Sequence, residues 1–99
     1  MHLRNNPFHS AALDVGKSLE RLGDAVENSM EGASLSKVSD LKDAMMIASI
    51  SFNRFCCLIR GEGVDIPRKI KLNMLDTKSM AMEEIDRAEK ELGIGQSVY

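Results

Sequence analysis

The chain has 99 residues, of which 43% are apolar and 28% are charged, and its formal net charge is −2. This length fits one domain, and the composition is too apolar for a disordered chain. The slight negative charge disfavours general binding to polyanions, although a local basic patch is compatible with it. The most apolar run, residues 44–50, is too short to span a bilayer.

We expect a flexible N-terminal tail over residues 1–9, a single helical-bundle domain over residues 10–94 and a loose C-terminal tail over residues 95–99. Asn6-Pro7 is typical of a turn, and Ser10 is a suitable N-cap for the first helix. The first residues contain no continuous apolar stretch of the kind that signal peptides have. We therefore expect a cytoplasmic protein.

The first helix is predicted over about Ala11–Met30. Its apolar stripe recurs at spacings of three or four and consists of Ala12, Val15, Leu19, Leu22, Val26 and Met30. Gly16 and Gly23 lie on one side, where they are either tolerated weak positions or points of close approach by another backbone. Gly32 is expected to end the helix in a left-handed conformation.

The second helix is predicted over Leu35–Arg60, with Ser34 or Ser36 as its N-cap and Gly61 at its end. Its stripe is Val38, Leu41, Met45, Ala48, Phe52, Phe55 and Ile59, and further apolar residues lie off that stripe, namely Met46, Ile47, Ile50, Cys56 and Leu58. A helix that is apolar around most of its circumference is buried by several partners. We therefore expect this helix to be the central element.

The third helix is predicted to open at Ile66-Pro67, with Asp65 as its cap. Its apolar residues continue at helical spacing to Leu92, which favours one continuous helix over a break near Asp76-Thr77. Gly93 and Ile94 fit a Schellman stop. Because the connections are short, the whole chain is predicted to be an all-α antiparallel bundle of three long helices with coiled-coil-like stripes.

Candidate chemical groups are few. The adjacent Cys56 and Cys57 point about 100° apart on a helix, so they are expected to be reduced thiols, with a reactive Cys57 as the alternative. His2 and His9 have no metal-ligand spacing with these cysteines. We predict no metal, no cofactor, no catalytic residue and no enzymatic activity.

The second half of the third helix carries an acidic group, namely Glu83, Glu84, Asp86, Glu89 and Glu91. Arg87 and Lys90 alternate with them, which is typical of a solvated helix face. Glu83 with Arg87 and Asp86 with Lys90 are favourable i,i+4 pairs.

Apolar surface in excess of what two neighbouring helices can cover points to protein–protein interaction. Methionines supply adaptable surface for such contacts. The predicted partner-binding residues are Met45, Met46, Ile50, Met74 and Met82. We expect a small interaction module of the adaptor, chaperone or inhibitor type that forms a homodimer or binds another protein.

A basic corner supports an alternative function. Five cations surround the second loop: Arg54, Arg60, Arg68, Lys69 and Lys71. A helix-turn-helix interpretation would make residues 67–76 a recognition helix, although the preceding helix is longer than that motif has. The alternative prediction is therefore a small nucleic-acid-binding transcriptional regulator that uses residues 54–71.

Overall fold

The computed structural model describes residues 7–63 and 65–94. It consists of three helices, α1 (Pro7–Met30), α2 (Leu35–Gly61) and α3 (Arg68–Leu92), which pack against one another. The predicted all-α antiparallel bundle is confirmed, with principal extents of 54 × 26 × 18 Å. Residues 1–6 and 95–99, which belong to the expected tails, lie outside the described residues.

The first helix begins four residues earlier than its apolar stripe indicated. Pro7 is its first residue, and proline is favoured there because the first backbone N–H of a helix has no partner within that helix. Ser10 therefore lies inside α1 and is not its N-cap. Residues 7–9 belong to the helix and not to the tail.

The connection between α1 and α2 is only partly as predicted. Ser34 is the N-cap of α2, and its Oγ accepts a hydrogen bond from the Lys37 N–H at 3.2 Å. Gly32 is not left-handed, because the only described glycines with positive φ are Gly63 and Gly93. The Gly32 N–H instead donates to the Ser29 carbonyl at 3.2 Å, so a tight turn ends α1 without a left-handed residue.

The end of α2 uses a different glycine from the predicted one. Gly61 is still helical, and the left-handed residue is Gly63, with a φ of 70°. The Gly63 N–H donates to the Arg60 carbonyl at 2.9 Å, which satisfies one of the last carbonyls of the helix. The prediction that Gly61 ends α2 is therefore wrong, because the helix includes Gly61 and the left-handed residue lies two positions later.

The third helix is continuous, as favoured, but it begins at Arg68, with Pro67 at the N-cap and no side-chain capping bond. The prediction that Asp65 caps it is therefore wrong. The Schellman stop is confirmed. Gly93 has a φ of 72° and its N–H donates to the Lys90 carbonyl, while the Ile94 N–H donates to the Glu89 carbonyl at 2.9 Å.

The core combines a few large side chains with many alanines. Leu22 and Leu41 are fully buried, and the alanines at 2% exposure or less are Ala11, Ala44, Ala48, Ala81 and Ala88. Small residues at the contacts let helix axes approach closely. A Cβ at Gly16 or Gly23 would have no neighbour within 4 Å, so close backbone approach does not explain these glycines.

The second helix is not surrounded on all sides within the single chain. Its buried residues are Val38, Leu41, Ala44, Ala48, Phe55 and Cys56, and these face α1 and α3. Met46, Ile47 and Ile50 remain exposed, because two neighbouring helices leave the far side of α2 uncovered. This agrees with the prediction that α2 carries more apolar surface than two neighbouring helices can cover.

Candidate interaction surfaces

A regular row of exposed residues runs along α2, from Asp40, which borders a depression beside α1, onto the side that points away from the core. The row, called the α2 seam here, consists of Asp40, Asp43, Ile47, Ile50, Arg54 and Cys57, and each of them is exposed. The spacings are three, four, three, four and three residues, which is the seam pattern of a coiled-coil helix. Met46 lies beside the seam and is 56% exposed, while Ile50 is 60% exposed.

A second apolar surface lies in the groove between α2 and α3. Met45, Met82 and Ile85 line it, and its volume is about 530 Å³. An ion pair from Lys42 Nζ to Glu89 Oε2, 2.7 Å long, bridges the two helices at one end of the groove. This groove joins the side of α2 that carries Met46 to the exposed Met82 of α3.

The five predicted partner-binding residues differ in their exposure to solvent. Met46, Ile50 and Met82 are exposed, and Met45 is half-buried at the groove. Met74 is only 4% exposed and belongs to the core, because its position on α3 faces the other two helices. Met74 is therefore unavailable to a partner.

Other exposed apolar residues were not among the predicted set. Ile47 belongs to the α2 seam, while Leu72 and Leu75 lie on the outer side of α3. The heptad spacing of the seam could have singled out Ile47, since that spacing is visible in the sequence. Leu72, Leu75, Ser79 and Met82 also recur at spacings of three and four on the exposed side of α3, so the same kind of pattern could have singled out Leu72 and Leu75.

A buried polar network joins the end of α1 to α3. The Ser29 hydroxyl donates to Glu84 Oε2 at 2.6 Å, and both side chains are buried. Arg87 donates to the same carboxylate through Nε at 2.8 Å and through Nη2 at 2.7 Å, and also from Nη2 to the Ser29 carbonyl at 3.3 Å. The network thus places a cation at the negative C-terminal end of α1.

This network corrects the interpretation of the acidic residues as one solvated face. Glu84 is only 5% exposed, because its position on α3 faces Ser29. Arg87 pairs with Glu84 and Glu91 and not with Glu83, whereas the predicted pair of Asp86 and Lys90 is present at 3.2 Å.

The electrostatics of the network favour the ionised carboxylate. Hydrogen bonds from Arg87 lower the pKa of Glu84, and the Ser29 hydroxyl lowers it further, although burial acts in the opposite direction. The pKa of Arg87 is raised by its hydrogen bonds to Glu84. Glu84 and Arg87 are therefore both charged at neutral pH, and their interactions with Ser29 hold α3 against α1.

The five cations of the basic corner are all exposed at the end of the bundle that holds the α2–α3 connection. Arg60 and Lys71 line a depression together with Asp65 and Ile66. None of the five cations forms an ion pair with another described residue. The corner is therefore a surface on which positive side chains are available to an external anion.

The two thiols differ in their surroundings. Cys56 is buried, and burial raises its pKa, while the adjacent Cys57 is exposed. Within residues 7–63 and 65–94, no group of three or more His, Cys, Asp or Glu side chains is placed to hold a metal ion. Across the same residues, no helix has the length and hydropathy needed to cross a bilayer.

We compared the chain with known proteins. No family model, no curated protein and no solved structure matches it. The exposed surfaces of the bundle are therefore the features that bear on its function. Among them, the α2 seam joins exposed apolar side chains to regularly spaced charges.

Proposed function

We propose that this protein is a small cytoplasmic protein–protein interaction module of the adaptor, chaperone or inhibitor type. In this proposal it buries the exposed apolar residues of α2 and α3 against a protein surface, self-associates, and needs no cofactor or catalytic group. The observation that carries the proposal is the apolar cluster of Met46, Ile47 and Ile50 on the uncovered side of α2.

The chemistry of this cluster suits an interface core. Each of the three side chains is large and apolar, and together they occupy about one turn of α2. Charged residues lie one turn before the cluster, at Asp43, and one turn after it, at Arg54. An apolar centre with a charged rim is the usual arrangement of a specific protein interface.

A substitution in this cluster tests the proposal. Ile50→Asp is expected to abolish association without unfolding the bundle, because the side chain is exposed in the single chain. Leu13→Asp is the matched control, since Leu13 is 50% exposed on the outer side of α1. Circular dichroism would confirm that both variants keep their helices.

Association is measured in two ways. Light scattering over a concentration series reports self-association, and a photocrosslinking residue at position 46 reports a protein partner in the cells that make the protein. Both signals should be present in the Leu13→Asp protein and absent in the Ile50→Asp protein. Equal signals in the two variants would refute the proposed surface.

The basic corner favours a second candidate, a small nucleic-acid-binding regulator. The supporting observation is that Arg54, Arg60, Arg68, Lys69 and Lys71 are exposed and form no ion pair with a described residue. Binding of this kind would weaken steeply with salt through counterion release.

Fluorescence anisotropy with short DNA and RNA duplexes tests this second candidate. Reversal of Arg68 and Lys69 to glutamate should remove binding, whereas Ile50→Asp should leave it intact. The basic corner would be ruled out as a nucleic-acid site if the wild-type protein did not bind nucleic acid at low salt. It would also be ruled out if reversal of both Arg68 and Lys69 left binding unchanged.

A further inference from the structure

The α2 seam is complementary to itself when it is reversed. We infer that a second copy of this chain binds along the seam in antiparallel orientation, about a two-fold axis that crosses α2 between Ala48 and Ser49. This inference rests on the proposed function and deepens it by naming the occupant of the apolar surface.

The spacing of the seam establishes the register. In an antiparallel pair of helices, residues at equal distances from the two-fold axis face each other. Ile47 then faces Ile50 of the partner subunit, and Asp43 faces Arg54 of the partner subunit. Each of these layers occurs twice, once on each side of the axis, so two aliphatic layers lie between two oppositely charged layers.

The charges select the antiparallel orientation over the parallel one. Asp43 and Arg54 are exposed, and neither forms an ion pair with a described residue of its own chain. A parallel pair in register would place Asp43 against Asp43 and Arg54 against Arg54, which is repulsive. Only the reversed orientation gives both residues an opposite charge.

The charged residues towards the two ends of the seam are also arranged in opposite sense. The N-terminal half of the seam carries two carboxylates, Asp40 and Asp43, whereas the C-terminal end of α2 carries Arg54 and Arg60. Reversal of the second copy brings its two arginines towards the two carboxylates of the first copy, although Lys37 and Lys42 on the same stretch of α2 make the net charge of that stretch zero.

A charge-swap experiment tests the register. Asp43→Arg and Arg54→Asp should each raise the dimer dissociation constant by about tenfold or more, because each creates two like-charge contacts per dimer. The double variant should return to within about threefold of the wild-type value. Asp76→Arg is the control, since it makes the same charge change on the exposed side of α3.

A disulfide experiment tests the orientation. In the proposed dimer the two Cys57 residues lie 17 positions apart along the paired helices, about 26 Å, so mild oxidation should not crosslink the wild-type protein. Asp40 faces the partner's Cys57, so Asp40→Cys should give a crosslinked dimer at least about tenfold faster than the control Asp14→Cys. Asp14 is exposed on α1, away from the seam.

The outcomes distinguish this inference from the proposed function. Two results would overturn the antiparallel register and leave the interaction module standing. The first is a dimer that Ile50→Asp disrupts but whose affinity the double charge swap does not restore. The second is rapid disulfide crosslinking of the wild-type dimer through Cys57. A wild-type protein that remains monomeric up to about 1 mM overturns the self-association. If position 46 also captures no partner, the proposed function fails as well.

Discussion

Ser29 and Glu84 lie 55 positions apart in the chain, and the Ser29 hydroxyl donates to Glu84 Oε2 at 2.6 Å across the α1–α3 interface. Both side chains are buried, so this contact links the C-terminal turn of α1 to the last third of α3. Arg87 covers the pair from the solvent side and binds the same carboxylate with two nitrogens. The contact therefore contributes to how α3 is held against α1.

Removing the charge of Glu84 should destabilise the bundle. Glu84→Gln keeps the volume but weakens the bonds from Arg87, and we expect a loss of about 1–2 kcal/mol in the free energy of unfolding. Urea denaturation measures this loss. Glu83→Gln is the control, since Glu83 is exposed, and it should change stability by less than about 0.5 kcal/mol. Equal stability of the two variants would contradict a structural role for the network.

The same network predicts a pH dependence. Arg87 and Ser29 hold the pKa of Glu84 below its ordinary value of 4.5 in the folded protein. This stabilisation is fully present above the pKa of the unfolded state and is lost as the pH falls through the lower pKa of the folded state. Between pH 5 and pH 3, as an approximate window, the wild-type urea midpoint should fall more steeply than that of Glu84→Gln. Parallel curves would show that Glu84 titrates normally.

Two glycines should respond to alanine with opposite signs. Gly16 is exposed inside α1, and a Cβ there meets nothing within 4 Å, so Gly16→Ala should stabilise the protein by roughly 0.5–1 kcal/mol. Gly93 has a φ of 72° at the Schellman stop, so Gly93→Ala should destabilise it by about 1 kcal/mol. Thermal and urea unfolding measure both changes. A loss of stability in Gly16→Ala would indicate that α1 is packed against something at that position.

The two cysteines should react with thiol reagents at different rates. Cys57 is exposed in the single chain, whereas Cys56 is buried and its pKa is raised by burial, so in dilute, monomeric protein one thiol should react quickly and the second only on unfolding. A chromogenic disulfide reagent counts the thiols that react in each phase. Cys57→Ser should remove the fast phase. Two fast thiols in the native protein would mean that the end of α2 opens readily.

The periodicity and the turn residues were sufficient to predict three helices and their order. Apolar residues at spacings of three and four mark the stripes from which the core forms, and Gly93-Ile94 carries the conformational preference that ends α3. The predicted start of α2 is the observed one, because Ser34 forms its capping bond locally, and the predicted end differs from the observed end by a single residue. These features depend on neighbours within one or two turns, which the linear sequence contains.

The burial of individual side chains depended on how the helices face one another. Met74 and Met82 have the same chemistry, but Met74 continues the apolar series of α3 and lies in the core, whereas Met82 lies off that series and is exposed. Glu84 resembles its acidic neighbours in the sequence, but its position on α3 faces Ser29 and Arg87. Rotation of a helix about its axis is set by the sum of many weak contacts with distant residues, so the apolar spacing alone could not show that Glu84 is buried.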